Sequence, residues 1–338
     1  IEAAGNYEIP MLVILAVISV GLAIKSGLYP FHSWIPDTYG YATPTASAIL
    51  SGLVSKGYLF LLIKIFYRVL GQENVIASRI VNVLFLFGLA GMIMGSVHAI
   101  LEWDTRRMIA YSSVAQIGYI YMGIGLGTQA GMVAAVFHMF THSATKALLF
   151  ISAVGLYEVS GGKKDFVSLR GAGNRNPLAG VGFTVGALSM VGFPMLSGFI
   201  SKLLFATSAL QSPHKMMFTI IGLAVSTILN AVYFLRLVIT LYARPKKKES
   251  LREAGKQEER VKKACESEGD ARAGKEVGNR KETNEAGNEN AAGEQLGKQH
   301  ISWGLGTAIC GFILLNLFLG MMSQPVVQAI ANGLAMFD

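Results

Sequence analysis

Eight long apolar runs dominate this sequence and limit the folds that it can adopt. The hydrocarbon core of a bilayer is about 30 Å thick, and roughly 20 residues of α-helix are needed to cross it. The runs have this length or more and lie at about 8–28, 45–68, 78–101, 108–127, 130–157, 178–210, 215–242 and 301–323. We therefore predict an all-α protein, a polytopic membrane helix bundle of about eight transmembrane helices.

The composition is that of an integral membrane protein, with 52% hydrophobic and only 15% charged residues. A net charge of +8 would suggest a nucleic-acid partner for a soluble domain, but here the basic residues cluster at the ends of the runs, as the positive-inside rule expects. We predict no nucleic-acid partner. Cys265 and Cys310 lie in a polar and an apolar stretch and suggest no disulfide, metal site or redox cofactor.

The polar connections predict how the chain is oriented in the cell membrane. Those after the first, third, fifth and seventh helices hold most of the basic residues, so we predict that they are cytoplasmic and that both termini face outside. Residues 244–299 contain no aromatic residue and few aliphatic ones, too little apolar surface to offset the entropy of ordering. We predict a disordered, charged cytoplasmic linker there, or alternatively a docking tail. It separates a seven-helix bundle, 1–243, from a last helix and tail, 300–338.

Two of the apolar runs are interrupted. The run 178–210 is too long for one straight span at about 1.5 Å per residue, and Gly192, Pro194 and Gly198 lie in its middle. The first run ends with Lys25 and is followed by Pro30. Ordinary kinks or loop boundaries would explain both breaks, but paired interrupted helices beside charged residues are typical of transporters.

Four lysines lie within the apolar runs: Lys25, Lys56, Lys146 and Lys202. A charge at membrane depth costs at least ~2.5–3.5 kcal/mol on insertion scales, so such residues indicate a functional site. A desolvated lysine can hold or release a proton near neutral pH. Anchoring at an interface is the alternative for Lys25 and Lys202. No Asp or Glu lies beside the four lysines, so a charged partner has to come from another chain or from sequence that is missing here.

Three ionisable residues in the fifth helix, His138, His142 and Lys146, follow one another at steps of four. On an α-helix each step climbs about 6 Å and turns only slightly, so the three side chains line one face over roughly 12 Å. The spacing predicts a proton wire with water between its members. Hydrogen-bonded packing histidines are the alternative.

A compact charged turn, 102–107, joins the third and fourth helices, and we predict that it holds helix ends through ion pairs. Contact with a partner subunit is the alternative. No phosphate loop, metal-ligand spacing or nucleophile–base arrangement is present in the sequence, so we predict no catalytic centre and no cofactor. The structural or interface candidates are His32, Asp37, Asp104, Arg106 and Arg107.

Four stretches resemble one known family. Residues 24–37, IKSGLYPFHSWIPD, followed by ATPTASA at 42–48, are similar to the signature K-S/A-x-x-x-P-F/L-H-x-W-L-P-D … A-P-T-P-x-S-A. The stretches 104–113, 138–150 and 192–202 also agree, and the matches cover about residues 10–240 in order. The family is that of the proton-conducting antiporter-like subunits of respiratory complex I, Mrp-type cation/proton antiporters and membrane-bound hydrogenases.

The resemblance implies a fold of fourteen helices built from two inverted five-helix repeats, each with one broken helix. This chain is similar to the last eight, and since it begins with Ile1 rather than Met we expect a fragment without its upstream part. In the family, a glutamate on an earlier helix pairs with the residue that Lys25 matches. The matched positions are Lys25 and Lys202 on the broken helices, and Lys56, Lys146, His138 and His142 along a central hydrophilic axis.

We accordingly predict proton translocation by an antiporter-like subunit of a multi-subunit energy-converting complex of the NADH dehydrogenase or hydrogenase type. The expected partners are other membrane subunits, protons and the lipid bilayer. An Mrp-type Na⁺/proton antiporter subunit is one alternative, and the sequence at 196–204 slightly favours it. A non-conducting structural or truncated subunit is the other. The charged linker before the last helix is unusual for the family.

Overall fold

The computed structural model of the protein describes residues 8–244 and 303–335. These residues form helices joined by turns, without a β-strand, which confirms the predicted all-α class. The helices are α1 Glu8–Ser26, α2 Trp34–Tyr41, α3 Pro44–Val69, α4 Gln72–Ala77, α5 Ile80–Leu101, α6 Thr105–Gly125, α7 Gln129–Glu158, α8 Ala172–Arg175, α9 Pro177–Val191, α10 Ser197–Ala209, α11 Pro213–Tyr242, α12 Trp303–Met321 and α13 Ser323–Ala335.

The helices follow the predicted apolar runs. Within the described ranges, five helices are long and apolar enough to cross a membrane, namely α3, α5, α7, α11 and α12. Shorter apolar stretches, Val13–Ser26 and Pro177–Val191, belong to α1 and α9. The remaining predicted span is α6, which has 21 residues and carries buried serines and a glutamine that lower its hydropathy. The predicted linker 244–299 lies outside the described residues apart from Arg244.

Both predicted helix breaks are present. The first helix, α1, ends at Ser26, and Gly27 follows with φ +83°. The helix α9 ends at Val191, where Gly192 adopts φ +95° and its N–H bonds back to the α9 carbonyls. Glycine is the residue that tolerates this left-handed conformation at a helix end. The chain then crosses a short loop before α10 begins at Ser197.

Small residues let α5 and α6 pack with their backbones in contact. A Cβ atom added at Gly118 of α6 would lie 2.5 Å from the backbone nitrogen of Met92, and one at Gly95 of α5 would lie 2.6 Å from that of Ala115. Close approach through small residues is a common way for membrane helices to associate. Nearly every residue of α6 is buried as a result, which places this helix at the centre of the bundle.

The helix α7 is the second central element. It packs against α6, both halves of the broken helix α9–α10, and the last long helix α12. Most of its 30 residues are buried. Polar side chains on α6 and α7 are therefore removed from lipid and face one another inside the protein.

Candidate functional site

The helix α7 holds two histidines and a lysine in the protein interior. The rings of His138 and His142 lie nearly parallel, with centroids 5.9 Å apart. Both imidazoles and the Lys146 side chain are buried, with 4%, 1% and 0% of their surfaces exposed. The four-residue spacing thus places three proton-binding groups in a column at the centre of the bundle.

Lys146 bonds to polar groups of α6. Its Nζ donates to the carbonyl of Ile109 at 2.7 Å and to the hydroxyl of Ser112. Both partners are neutral, and the described part of the chain contains no ion pair to this lysine. A buried ammonium held only by neutral dipoles is poorly compensated, so the energetic cost of keeping its proton is high.

Lys56 reaches the same region from α3. A π-helical turn, Leu50–Val54, lies just before it, and its Nζ donates to the carbonyl of Ser51 within that turn and to the hydroxyl of Ser55 at 3.2 Å. The Ser51 hydroxyl lies 3.0 Å from that of Ser113 on α6, next to the serine that binds the α7 lysine. The Ser113 hydroxyl and the Lys146 ammonium both donate to the carbonyl of Ile109, so hydrogen-bonded groups of α6 link the two buried lysines.

Lys202 lies at the second helix break. Its Nζ donates to the carbonyls of Val191 at 2.6 Å and Met190 at 3.1 Å, the last residues of α9. Carbonyls in the last turn of a helix lack intrahelical partners and carry the negative end of the helix dipole. Breaking the helix thus creates a binding position for a cation without any carboxylate.

A small cavity lies between Lys202 and the histidines. Gln116, His138, Thr145 and His142 line it together with the lysine. The cavity has a volume of about 10 Å³, which is close to the minimum needed to hold one water molecule. Several buried polar atoms near it have no hydrogen-bond partner in the described part of the chain, including Nε2 of His138 and both ring nitrogens of His142.

Aromatic and hydroxyl groups complete the contact between this cavity and α10. His138 Nδ1 lies 2.5 Å from the Ser201 hydroxyl, and the Tyr119 ring stacks on the same imidazole at 5.4 Å. The Lys202 ammonium lies 6.0 Å from the centroid of that tyrosine ring. The end of the histidine column and the lysine at the break are thus close neighbours.

The last long helix, α12, contributes a residue that the sequence analysis missed. The Oδ1 atom of Asn316 accepts hydrogen bonds from Thr145 at 2.8 Å, Ser197 at 2.8 Å and Ser189 at 3.1 Å. It joins α7 to both sides of the second break. An asparagine within the otherwise apolar run 301–323 was the signal that could have identified it.

Lys25 differs from the other three lysines because it is exposed, at the end of α1. Pro30 and Pro194 are exposed in the loops of the two breaks. Gly198 is in the first turn of α10, where an added Cβ would lie 1.8 Å from the carbonyl oxygen of Ser189. The structure therefore buries Lys56 and Lys146, half-buries Lys202 against the end of α9, and leaves Lys25 on the surface of the described bundle.

The charged turn at 102–107 ties α6 to α2. Asp104 caps α6 by accepting the N–H groups of Arg106 and Arg107 at 2.8 Å and 3.1 Å. The Arg107 guanidinium also pairs with Asp37 at 2.7 Å and with Glu102 at 3.1 Å. These contacts fit a structural role at the helix ends.

The loop between α1 and α2 carries His32, whose ring lies 5.8 Å from that of His98. Burial lowers the pKa of His32 and the nearby His98 adds to the effect, while the carbonyl of Pro30 opposes it. His98 in turn stacks on Tyr111 of α6 at 5.3 Å. The histidine therefore belongs to an aromatic cluster that joins this loop to α5 and α6.

Buried lysines and histidines around a broken helix define a multi-pass membrane protein with a polar interior. The sequence profile described as "NADH:quinone oxidoreductase/Mrp antiporter, TM" matches residues 2–229, and the chain belongs to this family. The resemblance inferred from the motifs is confirmed.

Relatives of two kinds match this chain. It is 35% identical over 235 residues to NADH-quinone oxidoreductase subunit N of Desulforudis audaxviator, covering 68% of this chain and 46% of the relative. It is 33% identical over 251 residues to the putative antiporter subunit mnhA2 of Staphylococcus haemolyticus, covering 69% and 30%. The chain thus spans less than half the length of these two relatives.

A solved structure of the Mrp complex from Dietzia sp. DQ12-45-1b has a chain with a similar fold. The TM-score is 0.73 at 23% sequence identity, and the alignment covers 96% of this chain and 59% of that one. At this identity the similarity establishes the fold.

Proposed function

We propose that this chain translocates protons as an antiporter-like subunit of a multi-subunit, energy-converting membrane complex. The observation that carries the proposal is the order of polar contacts in the interior, from Lys56 on α3, across the α6 serines, to Lys146 on α7. The histidine column and its cavity continue from there to Lys202 at the second break. The family membership and the names of the relatives support the same class of function.

Protons would move because the cost of keeping a proton on one buried lysine depends on whether the neighbouring lysine is charged. Lys56 and Lys146 are buried with neutral partners, so a proton on one disfavours a proton on the other. Neither ring nitrogen of His142 has a hydrogen-bond partner among residues 8–244 and 303–335, so the ring can accept a proton at one nitrogen and release one at the other. A water in the adjoining cavity would pass it between the histidines and Lys202.

Lys25 has a different place in this proposal. It lies at the first break but on the surface of the described bundle, where a neighbouring subunit or another part of a longer chain can contact it. We propose that Lys25 exchanges protons with a carboxylate from such a neighbour or interacts with it electrostatically. The complex rather than this chain alone is therefore the unit in which transport is tested.

The test replaces Lys146 by arginine and by glutamine in the assembled complex and measures proton pumping in sealed vesicles. Arginine keeps the charge but cannot release its proton at physiological pH, so both variants are expected to abolish pumping. A lysine that acts only as a structural cation would let the arginine variant pump. The matched control is Lys163→Gln, which removes an exposed lysine of the α7–α8 connection and should leave pumping unchanged.

Na⁺/proton exchange is the second candidate, because one relative is a putative antiporter subunit. In the same vesicles, an imposed Na⁺ gradient would then drive proton movement without a redox donor. Proton movement that needs the donor and ignores Na⁺ supports the first candidate. If neither driving force moves protons and all lysine variants behave alike, the chain is a non-conducting structural subunit.

We also propose that the protein lies in the cell membrane with the connection after α11 on the cytoplasmic side, because that connection is rich in basic residues. A cysteine-free background with single cysteines in this connection and in the α10–α11 turn tests the orientation. An impermeant thiol reagent added to intact cells should label the second position and not the first.

A further inference from the structure

One side of the bundle carries a long apolar groove bounded by α3, α7, α12 and α13. It consists of two adjoining parts with about 1180 Å³ and 1190 Å³ of unfilled space, including their open mouths. Phe140 lines both parts and is 55% exposed, although most of α7 is buried. The groove is thus continuous past this ring and faces away from the histidine column.

The lining of the groove fits hydrocarbon chains. The first part is walled by aliphatic and aromatic side chains such as Leu53, Ile151 and Phe312. The second part begins beside Phe60 and runs along α3 toward the end of that helix. From Ile49 to Arg68, both of which line the groove, α3 rises by roughly 28 Å, which is close to the thickness of a bilayer core. The groove therefore runs through the depth at which acyl chains lie.

One end of the groove is cationic. Lys64 and Arg68 are exposed, lie one helical turn apart on α3 and line the second part together with Leu334 of α13. Residues four apart share a helix face, and long basic side chains near a helix end extend to the level of the headgroups. Cations at this level attract anionic lipid headgroups.

We propose that this groove binds an anionic phospholipid, with its acyl chains along α3 and α7 and its phosphate against Lys64 and Arg68. The apolar groove matches the acyl chains of such a lipid, and the two cations at its end match the negatively charged headgroup. A zwitterionic lipid would satisfy the apolar part only. The site does not depend on proton transport, because Phe140 on the groove side of α7 is two residues from both His138 and His142 and therefore lies roughly 200° around the helix from them.

The first experiment measures lipid retention by native mass spectrometry on the full chain, purified in detergent and titrated with phosphatidylglycerol or phosphatidylcholine of the same acyl chains. We expect a preference for phosphatidylglycerol of roughly 10- to 30-fold, from two basic residues near the headgroup. The double variant Lys64→Gln/Arg68→Gln should lose this preference. The control Arg79→Gln/Lys163→Gln, which removes two exposed cations outside the groove, should keep it.

A second variant, Ala147→Phe, narrows the apolar part of the groove and leaves both cations in place. It should weaken retention of both lipids. Glycerol phosphate, which has the headgroup charge but no acyl chains, should not displace the lipid at equal concentration.

Equal retention of the two lipids, or retention of the preference in the Lys64→Gln/Arg68→Gln variant, would overturn the proposal. Displacement by glycerol phosphate would assign the basic pair to a free phosphate instead. Failure of either lipid to bind, as expected if protein covers the groove, would also overturn it.

Discussion

Replacing Asn316 by leucine tests whether α12 holds the second helix break in place. Leucine has a similar size but no acceptor, so the hydroxyls of Thr145, Ser189 and Ser197 lose their shared partner. Hydrogen bonds between membrane helices contribute about 0.6 kcal/mol each on average, so three of them sum to about 2 kcal/mol. At roughly 2–4 °C per kcal/mol for a domain of this size, the melting temperature should fall by about 4–8 °C.

Part of that loss can be recovered locally. The Thr145 hydroxyl also lies 2.8 Å from the carbonyl of Thr141, and the hydroxyls of Ser189 and Ser197 are 3.2 Å apart. The lower end of the range is therefore the better expectation. We expect the main effect to be a displacement of the loop after α9, because Ser189 precedes this loop and Ser197 follows it.

The assay is thermal unfolding of the purified chain in detergent, followed by intrinsic fluorescence, together with proton pumping by the assembled complex. Leu314→Ala, an exposed position on the same helix, is the matched control and should shift the melting temperature by less than about 1 °C. A melting temperature for the Asn316→Leu variant equal to that of the control would refute the reasoning, because the three hydrogen bonds would then contribute nothing.

Substitutions at Gly118, Asp104 and Gly192 test other contacts. Gly118→Ala places a Cβ against the α5 backbone and should destabilise by about 1–3 kcal/mol in the same melting assay, whereas Gly57→Ala, where a Cβ meets nothing within 4 Å, should stabilise by up to ~1 kcal/mol; a loss in both would point to a general intolerance of alanine. Asp104→Ala removes the α6 cap and should cost about 1 kcal/mol, seen as faster amide exchange in the first turn, and Asp104→Ser should recover most of it. Gly192→Ala adds a Cβ at φ +95° and 3.0 Å from the Lys202 side chain. We therefore expect a clear loss of proton pumping with a smaller effect on the melting temperature. Unchanged pumping would show that the position of the lysine is unimportant.

The apolar runs predicted most of the helices because spanning segments must be long and apolar. Glycine and proline predicted both breaks for an equally local reason, since glycine readily adopts the positive φ found at Gly27 and Gly192. Position within the apolar runs also selected Lys56 and Lys146, which are buried, but it selected Lys25 as well, which is exposed. These inferences need only neighbouring residues.

The partners of the lysines could not be predicted in this way. Lys202 binds backbone carbonyls, which have no sequence signal, and Lys146 binds a serine 34 residues away on another helix. Asn316 joins residues up to 171 positions distant. Such contacts depend on how helices pack, and hydrophobic periodicity carries no information about the pairing of one helix face with another.

The way in which Lys202 is held has a consequence for how this protein tolerates change. Its two hydrogen-bond acceptors are main-chain oxygens of Met190 and Val191, which every residue type possesses. Side chains at these two positions can therefore vary without altering the ligands of the ammonium. An alanine scan of α9 would for the same reason fail to identify the residues that bind the lysine. An insertion, a deletion or a change at Gly192 would instead move these carbonyls and remove its support.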